Sequence, residues 1–134
     1  MPDKHILIDT DVLIDVSRKI TSAIQTIEDY KSRFIVSVSM VTQLELINGC
    51  QNKMELNQLS EFLERFEILH ITEIISAKTV ELFEKYRLSH GVQIPDMLIA
   101  STALVHNIQL ISKNRKDFSF IEGLEFIPYL NPNQ

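Results

Sequence analysis

Three aspartates crowd the segment Ile-Leu-Ile-Asp-Thr-Asp-Val-Leu-Ile-Asp, at Asp9, Asp11 and Asp15. Further acids stand out of place downstream. Glu45 shares a helix face with Val41, Leu44 and Asn48 and has apolar neighbours in Leu44, Leu46 and Ile47, which implies a partly buried carboxylate in need of a partner. Asp96 is the lone charge opening the apolar run Ile-Pro-Asp-Met-Leu-Ile-Ala-Ser-Thr-Ala-Leu. Ser112-Lys113-Asn114-Arg115-Lys116-Asp117-Phe118 places Asn114, Asp117 and three basic residues in a single loop. Carboxylates brought together repel one another, so they either take up protons or hold a divalent cation. With no His or Cys among them the ligands are hard oxygens, which favours Mg²⁺ or Mn²⁺ over Zn²⁺.

Each position also has a structural reading. Asp9 or Asp11 suits a helix N-cap. Glu45 can complete a capping box with Thr42, although Ser39 is the better cap. Asp96 complements a helix dipole, and the 112–118 segment reads equally as a solvated charged loop. What sets these acids apart is their joint occurrence at the start of three elements and after a strand.

The formal charge of −5 argues against simple electrostatic adhesion to nucleic acid, so a phosphate substrate here requires a cation. Cys50 is alone, which excludes an internal disulfide and a CxxC redox or zinc centre. His5, His70, His90 and His106 are scattered, no pair has the spacing that puts two imidazoles on one metal, and all four read as structural. The start of the chain has no secretory pattern, and no stretch is long and apolar enough to cross a bilayer, which points to the cytoplasm.

The elements that must position these acids follow from hydrophobic spacing. Ile6–Ile8 reads as a buried strand ending at Asp9, with helical spacing from Val12 and again through Ile20, Ile24 and Ile27. Phe34–Val36 is a second strand, and Ser39 caps a helix over Met40–Cys50. Glu55–Phe66 is helical, and Glu67–Ile71 is a third strand. An amphipathic helix over Ala77–Leu88 is broken by Gly91, and Pro95 opens a helix that is apolar almost all round over Asp96–His106. Gln109–Ser112 and Glu125–Ile127 supply two more strands, and the Asn-Pro-Asn tail at Asn131 to Asn133 closes the chain. Alternation of this kind predicts an α/β fold of one domain over residues 1–134, with a mostly parallel central sheet of about five strands and helices on both faces. Such sheets bind ligands beyond the carboxyl ends of their strands.

Together the segments Ile8–Asp15, Ser39–Leu46, Ile94–Ala100 and Leu110–Asn114 with Asp117-Phe118 resemble the PIN-domain family, most of all its VapC-like ribonuclease toxins of type II toxin–antitoxin systems. The resemblance spans nearly the whole chain and implies a three-layer PIN-like fold. It further implies that Asp9, Glu45 and Asp96 hold Mg²⁺, or Mn²⁺, for RNA hydrolysis, with Thr10 supporting Asp9 through its hydroxyl. Asn114 or Asp117 fills the fourth family position, Asp117 as a further metal ligand, and Ser112 stands where the family more often has threonine. Lys113, Arg115 and Lys116 would then flank the scissile phosphate. The resemblance also implies a homodimer and a cognate antitoxin lying across the early helices, with tRNA or rRNA as the substrate class. Three alternatives remain open: a PIN fold serving as a non-catalytic binding module, a receiver-like switch domain, and a phosphatase of the haloacid dehalogenase type using Asp9 as nucleophile, whose DxDx opening matches but whose GDxxxD motif is missing. A receiver-like switch domain also gathers acids with a lysine after a late strand, as Lys113 would be.

Overall fold

A computed structural model describes residues 4–129, and the Asn131–Asn133 tail lies outside the described residues. Along the chain run β1 (His5–Ile8), α1 (Thr10–Ser17), α2 (Thr21–Lys31), β2 (Ile35–Ser39), α3 (Met40–Asn48) and α4 (Lys53–Leu63). They are followed by β3 (Glu67–Leu69), α5 (Glu73–His90), α6 (Ile94–His106), β4 (Leu110–Ser112), α7 (Arg115–Phe118) and β5 (Phe126–Pro128). The strands form one sheet in the order β3-β2-β1-β4-β5, and all four pairings are parallel.

Alternation along the short central strands divides the core into two layers. Ile6, Ile8 and Ile111 point to one face, where they meet Val12, Leu13 and Val16 of α1, Ala23 and Ile27 of α2, and Leu63 of α4. Leu7 and Leu110 point to the other, against Leu82 and Tyr86 of α5, Met97, Ile99, Ala100 and Ala103 of α6, and Phe118 of α7. The expected three layers are therefore present. Burial of α6 by α5 and the sheet explains its nearly continuous apolar sequence.

β1 lies at the middle of the sheet, between β2 and β4. The chain builds the β2–β3 side first and then returns to build the β4–β5 side, so the ends of β1 and β4 diverge into helices on opposite faces. That divergence opens a crevice at the carboxyl edge, the usual ligand position in open α/β sheets.

Several boundaries differ from the sequence reading. β2 runs to Ser39 instead of stopping at Val36, because Ser37 and Ser39 are tolerated at zero exposure: the Ser37 hydroxyl meets His5 Nδ1 at 2.6 Å, and Ser39 caps α3 by accepting from the Val41 amide at 3.0 Å. α4 starts two residues early under an Asn52 cap and stops at Leu63, and β3 is only three residues long. Thr72 caps α5 by accepting from the Ile75 amide, which starts that helix four residues before Ala77. Gly91 ends it in the left-handed conformation, at φ 64°, where a side chain would be strained. The charged loop after β4 folds into the short helix α7, and β5 is displaced by one residue.

Candidate active site

Asp9 ends β1 and is the N-cap residue of α1, with 4% of its surface exposed. One carboxylate oxygen accepts from the Thr10 amide at 2.8 Å, and the other accepts from the Ser112 hydroxyl, at the end of neighbouring β4, at 2.7 Å. Burial pushes its carboxyl up to about 7, the charge of Asp11 adds to the rise, the bonds from Ser112 and Thr10 oppose it, and Asp96 raises it further.

Asp96 sits in the first turn of α6, half-buried. Desolvation, then the charges of Asp117, Glu45 and Asp11, raise its carboxyl to about 6. Four separate pieces of chain, β1–α1, α3, α6 and α7, thus bring acids within electrostatic reach of one another. Asp9, Asp11, Glu45, Asp96 and Asp117 are among them.

Glu45 arrives differently from expectation. It lies on the exposed side of α3, so neither a buried face nor a Thr42 capping box accounts for it. The Thr10 hydroxyl stands 2.7 Å from Glu45 Oε1 and 2.9 Å from the Thr42 hydroxyl, and its single proton goes to the carboxylate. The Thr10 side chain therefore serves Glu45, while its backbone amide serves Asp9.

The fourth family position divides between two residues. Asn114 donates its backbone amide to the Ser112 hydroxyl at 2.9 Å, but its exposed side chain does not cap α7. Asp117, one turn on, contributes charge to Asp96. Lys113 turns inward: its ammonium is 3.2 Å from Asp15 Oδ2, with 20% of the side chain exposed. Arg115 and Lys116 remain exposed on α7.

Asp11 also acts on this cluster, and the cap reading of the segment falls to Asp9. Its Oδ2 accepts from the Lys113 amide at 3.1 Å and lies 3.3 Å from the Ser112 hydroxyl, while its Oδ1 is buried without a hydrogen-bond partner. Burial raises its carboxyl as well, against the opposing bonds from Lys113. Asp11 and Asp15, four apart, share the α1 face turned to the β4 loop, where both contact Lys113.

The donor set suits a hard divalent cation. Every candidate ligand is a carboxylate, burial penalises the ionisation of Asp9, Asp11 and Asp96, repulsion from neighbouring acids adds to it at Asp9 and Asp96, and Asp11 Oδ1 is an orphaned acceptor beside Asp9. As the side chains stand, Asp9 and Glu45 are turned to hydroxyl and amide donors, and among the described residues no three acids converge closely enough to ligate one ion.

Among the described residues no helix is long and apolar enough to cross a membrane. The PIN domain matches residues 6–123. Ribonuclease VapC10 of Mycobacterium tuberculosis is 31% identical over 121 residues, covering 90% of each chain. Ribonuclease VapC1 of Methanocaldococcus jannaschii is 31% identical over 118 residues, 87% of this chain and 80% of that one. Among solved structures, a chain of a toxin–antitoxin complex from Klebsiella pneumoniae aligns with a TM-score of 0.76 at 30% identity, over 92% of this chain and 98% of its own. A chain of VapBC2 from Rickettsia felis, crystallised with promoter DNA, aligns at 0.82 and 21% identity over 94% and 99%, a likeness of fold. The chain belongs to the PIN-domain family, among its VapC-like members.

Proposed function

We propose that this chain is an endoribonuclease dependent on Mg²⁺, with Mn²⁺ as a substitute, and the toxin of a toxin–antitoxin pair, cutting RNA of the tRNA or rRNA class in the cytoplasm. The observation that carries this reading is the electrostatic linkage of Asp9, Asp11, Glu45, Asp96 and Asp117 around the carboxyl edge of the sheet, where burial and repulsion from neighbouring acids raise the Asp9 and Asp96 carboxyls. An acidic chain that binds polyanionic RNA needs such a centre to reverse its local field. The names of the VapC relatives support the nuclease reading, and the 30%-identical toxin–antitoxin chain supports the toxin reading.

Asp9, Asp96 and Glu45 would hold the cation, with Asp117 at its edge. A divalent cation there supplies an activated water and charge stabilisation for the phosphoryl group. Ser112 and the Thr10 amide fix the Asp9 carboxylate so that both oxygens keep one orientation. Thr10 holds Glu45 at the exposed rim, where it would accept the proton released as water attacks phosphorus, while the P–O bond to the leaving oxygen breaks and that oxygen takes a proton from solvent. Arg115 and Lys116 meet the RNA phosphates from α7, and Lys113 acts from within by bracing Asp15 and the β4 loop.

The cognate antitoxin is assigned to the cleft of about 390 Å³ between α3 and α4, lined by Ile47, Leu56, Leu59, Leu63 and Phe66. Exposed Val80, Leu88 and Ile94 on the opposite face offer apolar surface to a second copy in a homodimer.

Cleavage of RNA by the purified chain tests the reading. Activity should require Mg²⁺, vanish with EDTA, and fall at least 10²-fold in Asp9→Asn and Asp96→Asn. Full activity in both variants refutes the site. Inactivity of the wild type toward every RNA, with intact fold and Mg²⁺ present, favours the binding-module alternative. The phosphatase alternative, with Asp9 as nucleophile, requires a trapped phosphoryl-aspartate on Asp9.

A further inference from the structure

Between the end of α5 and the start of α6 a cleft of about 140 Å³ opens beside the acid cluster. Asp96 and Asp117 form one wall, and the other is aromatic. The His90 ring lies nearly flat on Phe120, with centroids 4.0 Å apart and planes 12° from parallel. Tyr86 packs edge-on against both rings, at 5.6 and 5.1 Å. Gly91 ends the helix immediately after His90, and Arg87 ties down the following turn by donating to the Val92 carbonyl at 2.8 Å. The imidazole is thus oriented by packing at a fixed helix end, with its Nδ1 2.7 Å from the Ser89 hydroxyl, yet the residue stays exposed. Gln93 and Lys116 complete the rim.

Phe120 anchors the pair on the core through Tyr86, and the exposed His90 ring it orients matches what an unpaired base needs. Single-stranded RNA is held by bases splayed onto aromatic or histidine rings, with neighbouring amides reading their edges and cations their phosphates. Asp96 lines the same cleft, which puts such a base next to the bond being cut.

We propose that this cleft is a nucleobase subsite, in which the base flanking the scissile phosphate stacks on the His90–Phe120 pair while Gln93 reads its edge and Lys116 meets the adjoining phosphate. The proposal rests on the ribonuclease reading and deepens it by giving His90, otherwise a structural residue, a part in substrate selection.

The test uses the full chain with a mixed-sequence single-stranded RNA octamer carrying 2-aminopurine, followed by both cleavage and fluorescence. His90→Ala should raise KM about tenfold, the loss expected for one stacked base, with kcat little changed, and His90→Phe should keep KM near the wild-type value. Binding to the cleavage-defective Asp9→Asn chain should quench 2-aminopurine, and adding His90→Ala to it should remove the quench. An unchanged KM in His90→Ala, alongside an inactive Asp9→Asn, overturns the subsite and leaves the ribonuclease reading standing. If the wild type does not cleave, or Asp9→Asn cleaves as fast, the ribonuclease reading fails. The subsite is then decided by fluorescence: a His90-dependent quench upholds it, and its absence overturns it.

Discussion

The Ser112 hydroxyl stands 2.7 Å from Asp9 Oδ2, joining the carboxyl ends of two neighbouring strands across 103 positions of sequence. This bond offsets part of the burial that raises Asp9 and holds the carboxylate at the crevice where Asp96 and Glu45 also act on it or on each other.

Removing that donor should push Asp9 further up. In Ser112→Ala the acid limb of the pH–activity profile should move alkaline by about one unit, since a larger fraction of Asp9 is protonated near neutrality. Ser112→Thr, which keeps a hydroxyl, should leave the limb in place. Coincident profiles for wild type and Ser112→Ala would show that this bond does not tune the site.

The raised carboxyls fix the sign of the pH dependence of stability. Asp9 and Asp96 ionise ordinarily near 3.8 and in the folded chain near 7 and 6, so between these values the folded state holds more protons than the unfolded one. Their contribution is therefore greatest at low pH and is lost as pH rises through the folded values. In EDTA, Asp9→Asn should be more stable than wild type at pH 8 by about 1–3 kcal/mol and should show a smaller fall in Tm between pH 5 and pH 8. Identical fall in the two proteins, measured by calorimetry, would contradict the shift.

A cation should reverse that penalty. At pH 8 saturating Mg²⁺ should raise the wild-type Tm, by about 2.7 kcal/mol of stability at one hundred times its dissociation constant, and leave Asp9→Asn and Asp96→Asn nearly unmoved. At pH 5 protons compete for the same oxygens and the gain should shrink.

The basic residues after β4 should separate by role. Lys113→Ala strips the nearly buried Asp15 of its ammonium and should cost about 2–3 kcal/mol of stability, less than a fully buried pair because Lys113 keeps some contact with water. Arg115→Ala and Lys116→Ala, on exposed side chains, should change stability by no more than about 0.5 kcal/mol while weakening RNA binding and flattening its salt dependence. Denaturant melts and salt-series binding measure both, and a stable Lys113→Ala would remove its bracing role.

What could be read in advance follows a physical divide. The strand ending at Asp9, the Ser39 cap, the Gly91 break and the buried Asp96 helix are set by neighbours a few residues away, so hydrophobic period and cap chemistry reveal them. The exposure of Glu45 is not legible in sequence, because its helix carries exposed apolar residues, Leu44 and Ile47, that mimic a core face. The Asp15–Lys113 ion pair, the Asp11 contacts with the β4 loop and the Thr10–Glu45 bond link residues 35 to 102 positions apart. No local spacing encodes those contacts. Helix α7 was hidden by its charge, since four residues carry too little periodicity to distinguish a turn of helix from a loop.

The most direct measurement is anomalous diffraction from a crystal of the wild-type chain soaked in Mn²⁺. One peak should appear in the crevice at the ends of β1 and β4, within ligating distance of the Asp9 and Asp96 carboxylates and beside Glu45. A Mn²⁺ peak elsewhere, with those carboxylates unliganded, would contradict a shared cation centre.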